Sequence, residues 1–133
     1  EELALKYKLP KPIRDIIRQH HGTTAINYFY AQALEQDENV NIEDFKYPGP
    51  KPRSKEAALI MLADSVEAAV SSLTDKTPEN VKQRIIKLIK ERVAAGELDQ
   101  CNISMLELNM VADEFAQALL KQAEVQVDVF SEL

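Results

Sequence analysis

Gln19-His20-His21-Gly22-Thr23-Thr24 holds both histidines of this 133-residue chain, side by side, at the end of a predicted helix. Successive residues on a helix are turned by about 100°, so adjacent imidazoles splay apart. They suit two ions, or one ion and one substrate oxygen, better than a single shared ion. Gly22 is expected to end the helix, and Thr23 or Thr24 to cap the next one. The alternative is a helix end whose histidines cap exposed carbonyls.

The residue composition is that of one soluble helical domain. Apolar residues make up 45% of the chain and charged residues 29%, with only three glycines, which favours helices around a single core. The net charge of −6 argues against DNA or RNA as the main partner, so any nucleotide must meet a local basic patch. A lone Cys101 excludes an internal disulfide and favours a reducing compartment, and no apolar run approaches the ~20 residues of a membrane span.

Hydrophobic spacing predicts two helices around the histidines. Pro12 suits the first turn of a helix whose apolar face, Ile13, Ile16 and Ile17, should carry the histidines towards a core. A second helix is predicted from Thr23 or Thr24 to about residue 36.

Capping residues place the helices of the second half. Ser54 predicts a helix to about Leu73, Thr77 with Pro78 predicts one that stops near Gly96, and residues 102–104 precede the last long helix. The side chains expected on the buried face of this last helix are Leu106, Met110, Phe115, Leu119 and Leu120. Residues 125–130 alternate as a strand would, and we expect them as extended chain or as a helix end.

A basic, proline-rich loop, FKYPGPKPRSK, occupies Phe45–Lys55. Four positive charges lie in a stretch of ten residues, although the protein as a whole is acidic. Three prolines stiffen the backbone of this stretch. A stiff basic loop loses little entropy when it grips an anion, and phosphate suits Lys and Arg. The alternative is a solvated loop that balances the acidic surface.

Asp64 is the carboxylate that the pattern singles out in the following helix. It lies three and four residues from Met61 and Ile60, in the middle of an apolar stripe. A carboxylate on a buried face has to be paired, hydrogen-bonded or bound to a metal. The ordinary partner is an Arg or Lys of a neighbouring helix, and the functional one is a metal ion shared with His20 or His21. Imidazole and carboxylate suit Mn, Fe or Zn, and two such ions can support hydrolysis of a phosphoester.

Three stretches carry a family resemblance: IIRQHHGTT at 16–24, FKYPGPKPRSKE at 45–56 and IMLADSVEAA at 60–69. They resemble the cytoplasmic HD-superfamily domain of bacterial seven-transmembrane receptors with an intracellular HD hydrolase. The resemblance implies an all-α helical bundle that hydrolyses cyclic-di-AMP to the linear dinucleotide at a binuclear metal site. It also implies that His20 and His21 are metal ligands and that Asp64 closes the site.

The same resemblance indicates the cofactors and partners. Two divalent ions, Mn or Fe, are implied in the complete domain, together with a cyclic dinucleotide substrate and a transmembrane region at the cytoplasmic face of the bacterial inner membrane. From charge and position, we expect substrate contacts at Thr23, Thr24, Tyr47, Lys51, Arg53 and Lys55.

One departure from the family pattern shapes these expectations. The His-Asp pair that names the superfamily, and further histidine ligands that precede this region, are absent from a chain with two histidines. We therefore expect residues 1–133 to be the C-terminal portion of one HD domain, with a partial metal site and little or no turnover alone. An apolar face left uncovered would promote association, for example into a homodimer. The non-enzymatic alternatives are a helical nucleotide sensor that uses the basic loop and a module that relays a signal through helix packing.

Overall fold

The fold is all-α, as the composition and the resemblance predict. The structure, a computed structural model, describes the backbone of residues 1–131 and the side chains of residues 1–26 and 29–122. Its helices are α1 Glu2–Lys6, α2 Lys11–Gln19, α3 Asn27–Gln36, α4 Lys55–Ser71, α5 Pro78–Ala94 and α6 Met105–Ser131, with a 3-10 turn at Ile42–Phe45. Within this described part of the chain, no helix combines the length and the apolar character needed to cross a bilayer.

Side-chain caps fix the starts of α4, α5 and α6 where the sequence predicts them. The hydroxyls of Ser54 and Thr77 each accept a hydrogen bond from the backbone N–H three residues on, at 3.1 and 3.2 Å. Ser104 and Glu107 bond each other's backbone N–H reciprocally, at 3.0 and 3.1 Å, in a capping box. These contacts satisfy N–H groups that a helix start otherwise leaves unpaired.

The chain divides into two compact units. The first comprises Glu1–Met61 with Glu97–Asn102, and the second comprises Leu62–Gly96 with the chain from Ile103 onward. Apolar side chains buried in the first unit are Ala4, Ala57, Ala58, Met61 and Leu98. Those buried in the second are Leu62, Val66, Val70, Val81, Ile85, Leu88, Ile89, Leu108, Ala112 and Ala116. In the second unit α5 packs along α6.

The first unit departs from the prediction at α2 and α3. Ile13 and Ile17 are 45% and 36% exposed, so the expectation that this apolar face turns to a core is wrong for the described chain. Helix α3 begins at Asn27 rather than at a threonine, because the chain before it pairs with the basic loop through an antiparallel bridge between Ala25 and Lys46.

Helix α6 has a different buried face from the one predicted. Leu106 and Met110 are 70% and 60% exposed, whereas Leu108 and Ala112 are buried. The helix also continues to Ser131, so residues 125–130 form its end and the extended alternative is wrong. Apolar residues occur on more than one side of this helix, so their spacing alone does not identify the buried side.

Candidate metal and substrate site

The paired histidines lie in a tight turn directly after α2. The helix ends at Gln19, and Gly22 adopts a left-handed φ of +55°. The N–H of Gly22 donates to the carbonyl of Gln19 at 2.9 Å. The N–H and the hydroxyl of Thr24 both donate to the carbonyl of His21, at 3.1 and 2.8 Å. The turn is therefore closed by its own hydrogen bonds, and the Thr24 hydroxyl serves the turn instead of capping α3.

His20 has a defined tautomer in this turn. Its Nδ1 lies 3.1 Å from the carbonyl oxygen of Ile16 and 2.9 Å from that of Ile17. Because carbonyls only accept, Nδ1 carries the proton, and Nε2 of the neutral ring keeps its lone pair. A backbone carbonyl on one ring nitrogen is a common outer partner of a metal-ligating histidine. Capping of helix carbonyls and metal ligation are thus compatible roles, one for each nitrogen of the ring.

The ring of His21 is held by two other rings. Its centroid lies 3.9 Å from that of His20, with the planes inclined at 40°, and 4.2 Å from that of Tyr47, with the planes only 8° apart. Contact with an almost parallel aromatic face restricts the plane of the imidazole. Tyr47, expected as a substrate contact, therefore also supports a predicted metal ligand.

The basic loop packs onto the histidine turn by its backbone. The bridge between Ala25 and Lys46 joins its first residues to the chain that follows the turn. Further on, the N–H of Arg53 donates to Oε1 of the buried Gln19 at 2.9 Å, and Pro52 is fully buried. The loop is thus fixed against the histidine turn at two points along its length.

Glu97 is a residue of this site that the sequence did not reveal. The residue as a whole is 4% exposed. Oε2 accepts the backbone N–H of Thr23 at 3.0 Å, and Oε1 accepts the Thr23 hydroxyl hydrogen. Glu97 lies just beyond α5 and belongs to no recognisable motif, so only the folded chain brings it to the histidine turn.

The basic side chains fall at different places around the site. A groove of about 480 Å³ between α2 and the start of α4 is lined by Arg53 together with Lys11 and Arg18. Lys51 is half-buried and Lys55 exposed, and neither lines this groove. The groove has the size of a small-molecule site. It also holds carboxylates, including Asp15, which lies 3.7 Å from Lys11.

Asp64 does not occupy the buried position that the pattern predicts. The buried side of α4 passes through Met61, Leu62 and Val66, whereas Asp64 is exposed. It belongs to the second unit and the two histidines belong to the first. Within residues 1–26 and 29–122, no group of three or more His, Cys, Asp or Glu side chains is placed to hold a metal ion. The three-ligand set therefore remains a prediction.

Known proteins resemble most of this chain. It is 42% identical over 113 residues to the cyclic-di-AMP phosphodiesterase PgpH of Bacillus subtilis, covering 85% of this chain and 16% of that protein. It is 41% identical over 118 residues to PgpH of Listeria monocytogenes, covering 89% of this chain and 16% of that protein. The chain therefore spans about a sixth of the length of these curated relatives. No protein-family model matches the sequence.

Two solved structures share the fold. The HD domain of L. monocytogenes PgpH in complex with cyclic-di-AMP has a TM-score of 0.82 and 41% sequence identity, over 89% of this chain and 55% of that one. A second structure of the same HD domain has a TM-score of 0.81 and 39% identity, over 92% of this chain and 57% of that one. These similarities show that the chain belongs to the HD-domain family of the PgpH phosphodiesterases and corresponds to part of that domain.

Proposed function

We propose that the HD domain to which this chain belongs hydrolyses cyclic-di-AMP to the linear dinucleotide in a metal-dependent reaction. The observation that carries the proposal is the imidazole pair of His20 and His21, in which Nδ1 of His20 faces two helix carbonyls and His21 is stacked on Tyr47. This pair lies in a chain that is 41% identical to a solved domain that binds cyclic-di-AMP. By the same resemblance, the domain is attached to a transmembrane region at the cytoplasmic face of the bacterial inner membrane.

The donor set of the chain fits a divalent metal site in part. His20, His21 and Asp64 would hold two ions, Mn or Fe, together with ligands from outside residues 1–133. Imidazole and carboxylate are ligands that these ions accept, and an exposed Asp64 is open to a ligand. When bound, the ions supply Lewis acidity to the phosphoryl group.

The chain's own residues would bind and orient the substrate. Lys51 and Arg53 carry positive charge on a loop that is fixed against the histidine turn, and Lys55 follows as the first residue of α4, so these side chains can meet phosphate oxygens with little loss of entropy. The hydroxyl hydrogens of Thr23 and Thr24 are engaged within the site. Any contact of these threonines with substrate would therefore use their oxygen lone pairs.

The experiment is hydrolysis of cyclic-di-AMP by the complete HD domain with Mn²⁺. His21→Ala and Asp64→Ala should each abolish formation of the linear dinucleotide. Glu67→Ala is the matched control, since Glu67 is an exposed carboxylate three residues after Asp64 on the same helix, and it should keep most of the activity. Full hydrolysis by both His21→Ala and Asp64→Ala would contradict the proposal.

A second candidate function is a nucleotide sensor without catalysis. It is favoured by the finding that the described residues assemble no group of three metal-binding side chains. In that case the basic loop binds the anionic nucleotide, and a double substitution of Lys51→Ala with Arg53→Ala weakens binding while a chelator leaves it intact. If the chelator abolishes nucleotide binding by the complete domain, the sensor function is excluded.

A further inference from the structure

Glu97 is buried, so other groups have to compensate for the loss of hydration of its carboxylate. A buried, unpaired charge is costly, so such groups are hydrogen-bonded or paired. Here the two oxygens are directed at one residue, Thr23, through its N–H and its hydroxyl. Hydrogen bonds from a neutral donor to a charged acceptor are stronger than those between neutral groups. The contact joins positions 74 residues apart, so it ties the histidine turn to the chain beyond α5.

The turn is shaped to receive this carboxylate. A Cβ at Gly22 would lie 2.5 Å from Oε2 of Glu97, so the carboxylate would have to shift to make room for it. The backbone at Gly22 therefore runs directly against the carboxylate. On the other side of the same turn, the carbonyl of His21 accepts both donors of Thr24. A rotation of the peptide between His21 and Gly22 would break the bonds that the His21 carbonyl accepts from Thr24 and the bond that the Gly22 N–H donates to Gln19.

We propose that Glu97 is a positioning residue that sets the orientation of the His20–His21 imidazole pair towards a divalent cation. It acts through Thr23 and the backbone of Gly22 and has no direct role in catalysis. The part of this proposal that concerns a bound cation rests on the proposed function, whereas the part that concerns the orientation of the imidazoles does not. Without the carboxylate, the turn keeps its contacts with the basic loop but loses the restraint at Thr23, and the stack of His21 on Tyr47 becomes less fixed.

The first test uses the metal-free chain and the imidazole signals of its two histidines in ¹H–¹⁵N NMR spectra. Glu97→Gln keeps the shape of the side chain but replaces one acceptor by a donor, which cannot accept from Thr23. We expect the His21 ring protons to lose the shift caused by the Tyr47 ring, whereas His20 should keep its contacts with the carbonyls of Ile16 and Ile17. Glu107→Gln is the matched control, because it removes a carboxylate that accepts a backbone N–H at the start of α6, and it should leave both imidazoles unchanged.

Two threonine variants keep the test valid if Glu97→Gln does not fold. Thr23→Val removes the hydroxyl donor but keeps the N–H, and should move the imidazole signals in the same direction by a smaller amount. Thr23→Ser keeps both donors and should give the wild-type spectrum. The proposal is overturned if the imidazole signals stay unchanged in Glu97→Gln. If Glu97→Gln does not fold, unchanged signals in Thr23→Val overturn it instead.

The second test measures the Mn²⁺ affinity of the complete HD domain by calorimetry. Glu97→Gln should weaken binding about 10- to 100-fold, the usual effect of losing a group that orients a metal ligand, and Glu107→Gln should not. If His21→Ala weakens Mn²⁺ binding and Glu97→Gln does not, the positioning role towards the cation is refuted. If His21→Ala leaves the affinity unchanged, the metal site of the proposed function fails, and the imidazole spectra still decide the role of Glu97.

Discussion

Replacement of Gly22 by alanine should destabilise the protein by about 2–5 kcal/mol. Two effects contribute. The left-handed φ of +55° costs an L-residue roughly 1–2 kcal/mol. The new Cβ would lie 2.5 Å from Oε2 of Glu97 and 2.7 Å from Cε of Met61, and forcing such atoms apart in a packed region costs roughly 1–3 kcal/mol. Both neighbours are buried, so neither can move freely into solvent.

Gly49→Ala is the matched control for the crowding effect. Gly49 also has a positive φ, +87°, but the nearest atom to a Cβ there is Cγ2 of Thr23 at 3.4 Å, an ordinary contact. This variant should therefore show the conformational effect without the crowding. The free energy of unfolding of both variants would be measured by urea denaturation, with far-UV circular dichroism as the signal. The values are comparable if the two variants have the same m-value.

The difference between the two variants decides the question. Gly22→Ala should be less stable than Gly49→Ala by roughly 1–3 kcal/mol, the range expected for overpacking. Equal losses of unfolding free energy in the two variants would show that the close approach of Glu97 to the turn does not affect stability. A loss below about 1 kcal/mol in Gly22→Ala would refute the left-handed conformation itself, since that alone is expected to cost as much.

Three further predictions concern the helices and the stacked rings. Ser54→Ala removes the cap of α4 and should lower the free energy of unfolding by about 1 kcal/mol in the same assay; an unchanged value would exclude the cap. Leu108→Ala, at a side chain only 4% exposed, should cost about 2–5 kcal/mol. Leu106→Ala, at one 70% exposed, should stay within about 0.5 kcal/mol; the opposite order would mean that α6 packs by its other side. Tyr47→Ala should remove the ring-current shift of the His21 imidazole protons in NMR spectra, whereas Tyr47→Phe should preserve it; a spectrum of Tyr47→Ala identical to wild type would contradict the stack.

The starts of α4, α5 and α6 could be predicted from the sequence because each depends on a cap formed between residues close together in the chain, whereas the start of α3, which has no side-chain cap, could not. The acceptors at Ser54, Thr77 and Ser104 bond N–H groups three residues away, and a cap needs only a suitable side chain at the right offset. The family resemblance likewise identified an HD-type domain from three short stretches, and the fold similarity confirms it.

The buried faces of α4 and α6 could not be predicted in the same way. Helix α4 carries an unbroken run of apolar residues from Ala57 to Ala63, so more than one apolar stripe can be drawn along it. The structure buries Met61 and Leu62 and leaves Ile60 47% exposed. Asp64 lies one turn beyond Ile60, on the same exposed side. Which stripe is buried depends on the neighbouring elements, and the spacing within one helix does not contain that information.

Local sequence specifies only part of the orientation of the histidine pair, because His20 bonds carbonyls of its own helix whereas His21 stacks on Tyr47 of the basic loop. Fixing the backbone of each residue costs about 1–2 kcal/mol, so a five-residue turn after a helix stays in one conformation only if other groups hold it. Those groups are the loop that bonds Gln19 from 34 residues away and the carboxylate that bonds Thr23 from 74 residues away. A motif can therefore indicate which atoms would bind a metal, whereas the direction in which those atoms point also depends on contacts outside the motif, with Tyr47 and, by our proposal, with Glu97.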